Sequence, residues 1–135
     1  SEYKIVIPIE NSLAGRVADI HYLIPKYKLQ IHAEHFQKVT HNLLGIKGSK
    51  IKDIKTVRSH SQAIGQCNKM ISENKLKPII SADTAGSAKE LSKGSDKSIG
   101  DIASMLSAKI YKLKVIQKCS VFLWNHDLKT YLVLK

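Results

Sequence analysis

Cysteine is scarce: Cys67 and Cys119 are the only two among 135 residues, and neither belongs to a Cys-x-x-Cys pair. That excludes the compact zinc and dithiol redox motifs. Cys67 falls at apolar helical spacing, where a small buried thiol is expected. Arginine is nearly absent as well. Arg16 and Arg58 stand alone, so lysine supplies the rest of the 22 basic residues. Guanidinium groups are preferred for bidentate phosphate and base contacts, so their lack argues against a nucleic-acid binder despite a net charge of +11. The lysines are scattered without aromatic interleaving and read as a solvated surface, one that still attracts small polyanions. No apolar run approaches the roughly 18 residues of a membrane-spanning helix. The opening Ser1-Glu2-Tyr3-Lys4 lacks the basic head and long apolar core of a signal peptide. A cytoplasmic chain with neither a membrane nor a nucleic-acid partner is therefore expected. A Gly-rich phosphate loop and a nucleophile elbow are also missing.

What is present is an ordinary apolar fraction of 43%, enough for a real core. The length suits one domain, or one lobe plus part of another. The apolar run Ile5–Ile9 ends in Glu10-Asn11-Ser12, and Val17, Ile20, Leu23 and Ile24 then keep helical spacing. This predicts a buried strand, a polar cap at Asn11 or Ser12, and a helix ending near Ile24-Pro25. Leu29, Ile31 and Ala33 alternate with Gln30, His32 and Glu34, the pattern of a half-buried strand. A further strand is expected within 36–46, and one helical turn at 51–54.

The strand-then-helix construction recurs twice. Strand 55–58 leads into Ser59-His60-Ser61-Gln62 and a helix carrying Ala63, Ile64, Cys67, Met70 and Ile71. Strand 78–82 leads into Asp83-Thr84-Ala85 and a helix that Gly94 stops. Strands at 98–102, 113–116, 120–124 and 130–134, with a helix from Ala103 to Tyr111, complete an alternating β and α pattern. Gly100-Asp101 interrupts the first of these apolar runs. The fold class is α/β. In a parallel sheet all strand-to-helix turns lie at the carboxyl edge, where such sheets bind ligands. Three junctions with hydroxyls, amides and one imidazole suit a small organic anion. Each of Asn11, Ser12, Ser59, Asp83 and Thr84 is equally readable as a simple N-cap. His32 and His35, three apart in a strand, point to opposite faces and do not form a zinc site.

These residues carry a family resemblance. Val6–Gly15 resembles the "PIENS…G" motif of prephenate dehydratases. Ala33-Glu34-His35-Phe36 with His41-Asn42-Leu43-Leu44 resembles their "GE…L.I.H.LL" segment. Ser59-His60-Ser61-Gln62-Ala63, with Gly65-Gln66-Cys67, is similar to "SHPQAL.QC", Ser61 standing for proline. Ala82–Ala88 resembles "DTA.AA". Ile102-Ala103-Ser104, with Ala108 and Tyr111, resembles "IAS..AA..YG", Lys112 standing for glycine.

The resemblance implies a periplasmic-binding-protein-like (type II) fold, a mixed sheet with flanking helices. Residues of about 8–97 would form the second lobe, and about 98–135 the return segments toward the hinge and first lobe. The family's opening "GP.GT.S" segment and a regulatory ACT domain are not in these 135 residues. The implied activity is a carbon–oxygen lyase reaction, prephenate to phenylpyruvate on the way to L-phenylalanine, with no metal or organic cofactor. Asn11, Ser12, Gly15, Ser59, His60, Gln62, Thr84 and Ala85 would line the substrate cleft. The closing "N.TRF" motif carries the family's catalytic threonine. The last strand aligns Lys129 with that threonine, and Thr130, one residue on, is the catalytic candidate. The alternative is an inactive remnant or small-carboxylate-binding module of the same fold. A homodimer or other self-association is expected, with Val121, Phe122 and Trp124 as exposed apolar candidates.

Overall fold

The structure is a computed structural model that describes residues 4–11 and 15–119, together with the backbone of 127–134. Ser12, the strand expected at 120–124 and the apolar trio Val121, Phe122 and Trp124 lie outside these residues. The chain divides into two compact units, one holding its early elements and its final strand, the other spanning Thr40–Phe122.

In the first unit, strands β1 (Lys4–Asn11), β2 (Gly15–Arg16), β3 (Gln30–Lys38) and β9 (Asp127–Leu134) form an antiparallel sheet in the order β2-β1-β9-β3. Helix α1 (Ala18–Lys26) follows β2. The first junction therefore differs from its expectation. The polar stretch does not cap a helix: Asn11 pairs with Gly15 and Glu10 with Arg16 across a hairpin. Asn serves turns as well as it serves caps. Val17 occupies the N-cap of α1 with no side-chain cap, and its N–H donates to the Ile9 carbonyl at 2.8 Å. Pro25 lies inside α1 rather than beyond it. In the final turn its missing N–H removes only one helical bond. No residue of α1 is buried, and the Lys26 ammonium lies over the rings of Tyr22 and Tyr27. Strand β3 is exposed along its whole length, not half-buried.

The second unit is a three-layer structure. Its sheet, β6-β5-β7-β4-β8, comprises β4 (Asn42–Gly45), β5 (Thr56–Ser59), β6 (Lys77–Ile80), β7 (Ile99–Ala103) and β8 (Lys114–Lys118). β6, β5 and β7 are parallel, whereas β4 runs antiparallel to both β7 and β8. The apolar run expected as one strand within 36–46 is thus split between β3 and β4, the chain passing from one sheet to the other. Helices α2 (Ser61–Gln66) and α3 (Asn68–Glu73) cover one face through Val57, Ala63, Cys67, Met70, Ile71, Leu43 and Ile102. Helices α4 (Thr84–Lys93) and α5 (Met105–Ile110) cover the other through Leu44, Ala88, Leu91, Ala103 and Ala108. Adjacent residues of β4 and β7 divide between the two cores, as strand alternation requires.

Both cysteines belong to the first of these cores, although they are far apart in sequence. The Cys67 thiol shares a hydrogen bond with Cys119, and that bond, followed by burial, raises its pKa far above the ordinary thiol value. Gly100 is set by close approach: a Cβ there would stand 2.9 Å from Leu43 Cδ1 and 3.1 Å from the Leu44 carbonyl oxygen.

Asp101 is an interior residue of β7 and is fully buried. Its Oδ1 accepts from the Ser87 hydroxyl of α4 at 2.7 Å and lies 3.5 Å from Arg58 Nε of β5. Arg58 also donates to the Ser87 carbonyl at 3.4 Å and pairs with Glu90 at 3.5 Å. Burial raises the carboxyl pKa to about 6, against the opposing pull of Ser87 and Arg58.

Two outcomes are expected. The folded value of Asp101 lies above its unfolded one, so the native state retains a proton that the unfolded chain has lost between them. Its contribution is complete at low pH and is lost as pH rises from about 4 to about 6, on the order of 3 kcal/mol. Urea unfolding across that range, compared between wild type and Asp101→Asn, should show the variant without this component of the slope. Separately, Lys112 holds a φ of 54° after α5, where a side chain is strained. Lys112→Gly is expected to raise stability by up to about 1 kcal/mol in the same assay.

Candidate functional site

Three parallel strands of the second unit end at one edge of the sheet, and each leads into a helix. β5 ends at Ser59, and His60 caps α2, its Nδ1 accepting the Gln62 N–H at 3.3 Å. That bond leaves the ring proton of neutral His60 on Nε2. β6 leads through Ser81 to Asp83, whose carboxylate caps α4 by accepting the Gly86 N–H. β7 leads to Ser104, which caps α5 by accepting the Ser107 N–H at 3.1 Å. The third junction at this edge is therefore Ser104, whereas Glu10 and Asn11 belong to β1, a strand of the other sheet. A serine three residues before Ser107, ahead of an apolar helical run, was the signal available for it.

The strand ends are held by the main chain. Ser81 N–H donates to the Ser59 carbonyl at 2.9 Å, linking β6 to β5. The Ser59 hydroxyl donates to the Ile102 carbonyl at 2.7 Å, linking β5 to β7. Ser59, expected to line the cleft, is fully buried and acts as this tie. Strand alternation puts its side chain in phase with the buried Val57, two residues before it.

The other motif residues of this unit reach the edge. His60 and Thr84 are half-buried, whereas Gln62 and Ala85 are exposed. The two motifs, far apart in sequence, are brought together because β5 and β6 are hydrogen-bonded neighbours. At α4 the positive end of the helix is already answered by the Asp83 carboxylate, so Thr84 offers a hydroxyl rather than an open charge site. Behind the edge lies Asn42, buried in β4, whose Nδ2 is 3.5 Å from the Ala103 carbonyl. Sequence reasoning did not single out Asn42 as a site residue. A buried amide in an otherwise apolar strand is its only local signature.

Asn11 and Gly15 are paired in the hairpin of the first unit. Thr130 lies in β9, its backbone opposite Pro8 on one side and His35 on the other, while Lys129 lies opposite Glu10 and Phe36. Among the described residues, no group of three or more His, Cys, Asp and Glu side chains is placed to hold a metal ion.

The family model for prephenate dehydratase matches residues 2–121. A bifunctional N-acyl-homoserine lactone acylase/prephenate dehydratase of Komagataeibacter europaeus is 41% identical over 113 residues, covering 84% of this chain and 40% of the relative. A prephenate dehydratase of Methanocaldococcus jannaschii is 35% identical over 114 residues, covering 84% of this chain and 41% of its own. Among solved structures, a prephenate dehydratase from Arthrobacter aurescens in complex with L-Phe superposes with a TM-score of 0.83 at 25% identity, covering 96% of this chain and 44% of that one. The chain thus spans about two fifths of the length of these two relatives. The model match over nearly the whole sequence, the shared fold and the gathering of two family motifs at one sheet edge lead to one conclusion: this chain belongs to the prephenate dehydratase family.

Proposed function

We propose that the chain serves the decarboxylating dehydration of prephenate to phenylpyruvate, a carbon–oxygen lyase step toward L-phenylalanine, in the cytoplasm and without a cofactor. The observation that carries this reading is the convergence of His60 and Gln62 with Thr84 and Ala85 at the carboxyl edge of adjacent parallel strands. Prephenate is a dianion. The Nε2–H of His60, the exposed Gln62 amide and the Thr84 hydroxyl are donors suited to carboxylates. In the reaction the ring hydroxyl leaves with a proton supplied by a general acid. The ring carboxylate departs as carbon dioxide, its bonding electrons completing the aromatic ring. Thr130 is the proposed proton donor, Lys129 standing at the family threonine's position. Asn11, Ser12 and Gly15 join the proposal through the motif they share with the family.

The test is conversion of prephenate, read as the enolate absorbance of phenylpyruvate in alkali. His60→Ala and Gln62→Ala are each expected to lower kcat/KM by about tenfold to a hundredfold, the loss of one hydrogen bond to a charged group. Thr130→Ala is expected to lower kcat by at least about a hundredfold. A rate no greater than background, with phenylpyruvate still bound in calorimetry, would overturn the enzyme reading in favour of a carboxylate-binding module. Neither rate nor binding would identify an inert remnant.

Self-association belongs to the same proposal. Ile5, Val6, Tyr22, Tyr27, Ile31 and Phe36 are exposed on the first unit, more large apolar surface than scattered exposure accounts for. Sedimentation at micromolar concentration is expected to show a dimer or larger species, and a single monomeric boundary would refute it.

A further inference from the structure

The opposite edge of the second unit's sheet, where β5 and β7 begin, carries a cavity of about 670 Å³. Its wall includes Lys50, Lys52, Lys55 and Lys97, with Asp53 and Asp96 as the acidic residues. Four ammonium groups against two carboxylates leave the cavity positive. The carboxylates are also turned to local structure. Asp53 Oδ2 accepts the Lys50 N–H at 2.9 Å. Asp96 Oδ1 accepts both the N–H and the hydroxyl of Ser98, at 2.8 and 2.7 Å. Those two bonds, with a smaller share from Lys55, hold the Asp96 pKa below the ordinary carboxylate value, so the acid keeps its structural role. Among the described residues, none of the four lysines forms a salt bridge, in contrast to Arg58 and Lys69.

The backbone that carries these lysines is fixed. The Lys55 and Thr56 N–H groups both donate to the Ser98 carbonyl, at 2.8 and 3.1 Å, joining the two strand entries. Gly48, at a φ of 86°, lies so close to Lys97 that an added Cβ would stand 3.3 Å from its Nζ. The missing side chain gives the ammonium room at the cavity wall.

We propose that this cavity is a binding site for a compact polyphosphate, separate from the carboxyl edge. Lysine holds phosphate as a compact point charge and does not need the planar fork of arginine. A site with several ammonium groups favours a ligand of several negative charges over a single carboxylate. The lining has no aromatic ring on which a nucleic-acid base would stack.

The test is calorimetric titration of the whole chain with inorganic triphosphate at moderate salt. One site per chain is expected. Lys55→Gln with Lys97→Gln should weaken binding at least about tenfold, two charge-assisted contacts being lost. Lys89→Gln with Lys118→Gln removes the same charge from outside the cavity and should change it less than about twofold. Thermal unfolding by circular dichroism confirms that both double variants are folded. Equal loss in the two variants, equal affinity for inorganic monophosphate, tighter binding of a single-stranded oligonucleotide, or no binding at all would each overturn the proposal.

Discussion

A carboxylate without access to water governs the second unit. Asp101 lies in the interior of β7, fully buried, where an unpaired charge would be costly. The cost is met from two sides. Ser87 approaches from α4 and Arg58 from β5, so one acidic side chain fixes the relation of a central strand, its parallel neighbour and the helix that covers them. Arg58 itself is stretched between Asp101, the Ser87 carbonyl and Glu90. Removing Arg58 or Ser87 takes a partner from a carboxylate that stays fully buried. A buried polar cluster of this kind specifies an arrangement more than it adds stability, because apolar packing would be less costly. The arrangement specified here is the register of α4 on the sheet, and hence where Thr84 and Ala85 stand relative to His60 and Gln62.

Much of the second unit was legible in the sequence because its signals are local. β-branched runs bounded by polar residues mark β5 and β6, and apolar helical spacing marks α2 to α4. The motif order then named the family. What was not legible depends on contacts between distant residues. Asp101 reads as an interruption of an apolar strand until Arg58 and Ser87 are seen to converge on it. Ser59 reads as a ligand-facing hydroxyl until its bond to the Ile102 carbonyl turns it inward. Glu10-Asn11-Ser12 reads as a helix cap because the residues that favour caps also favour hairpins, and only the pairing of Asn11 with Gly15 distinguishes the two. The alternation in β3 is clear, yet all of its residues are exposed, since periodicity reports which face is apolar and not whether it is buried.

The two edges of the five-stranded sheet have different chemistry although the same strands build both. At the carboxyl edge the polar groups are caps: neutral or acidic side chains close to main-chain N–H groups. At the amino edge they are long lysine side chains, anchored on loops that Ser98 and Gly48 hold in shape. The first arrangement suits recognition of a particular small molecule through directed hydrogen bonds. The second suits attraction of charge density with little directional demand. The net charge of +11 is therefore not uniform in meaning, since part of it is gathered where carboxylates are already engaged.

The sheet of the first unit has an order of assembly written into its connectivity. β1 and β3 share no ladder with each other; each is hydrogen-bonded to β9, which lies between them. On a ribosome both early strands emerge long before β9, and the whole of the second unit is synthesised in the interval. The early strands must therefore wait with open edges while a later segment folds. They join only by contacts of great sequence separation, which are slow to form and vulnerable to wrong partners meanwhile.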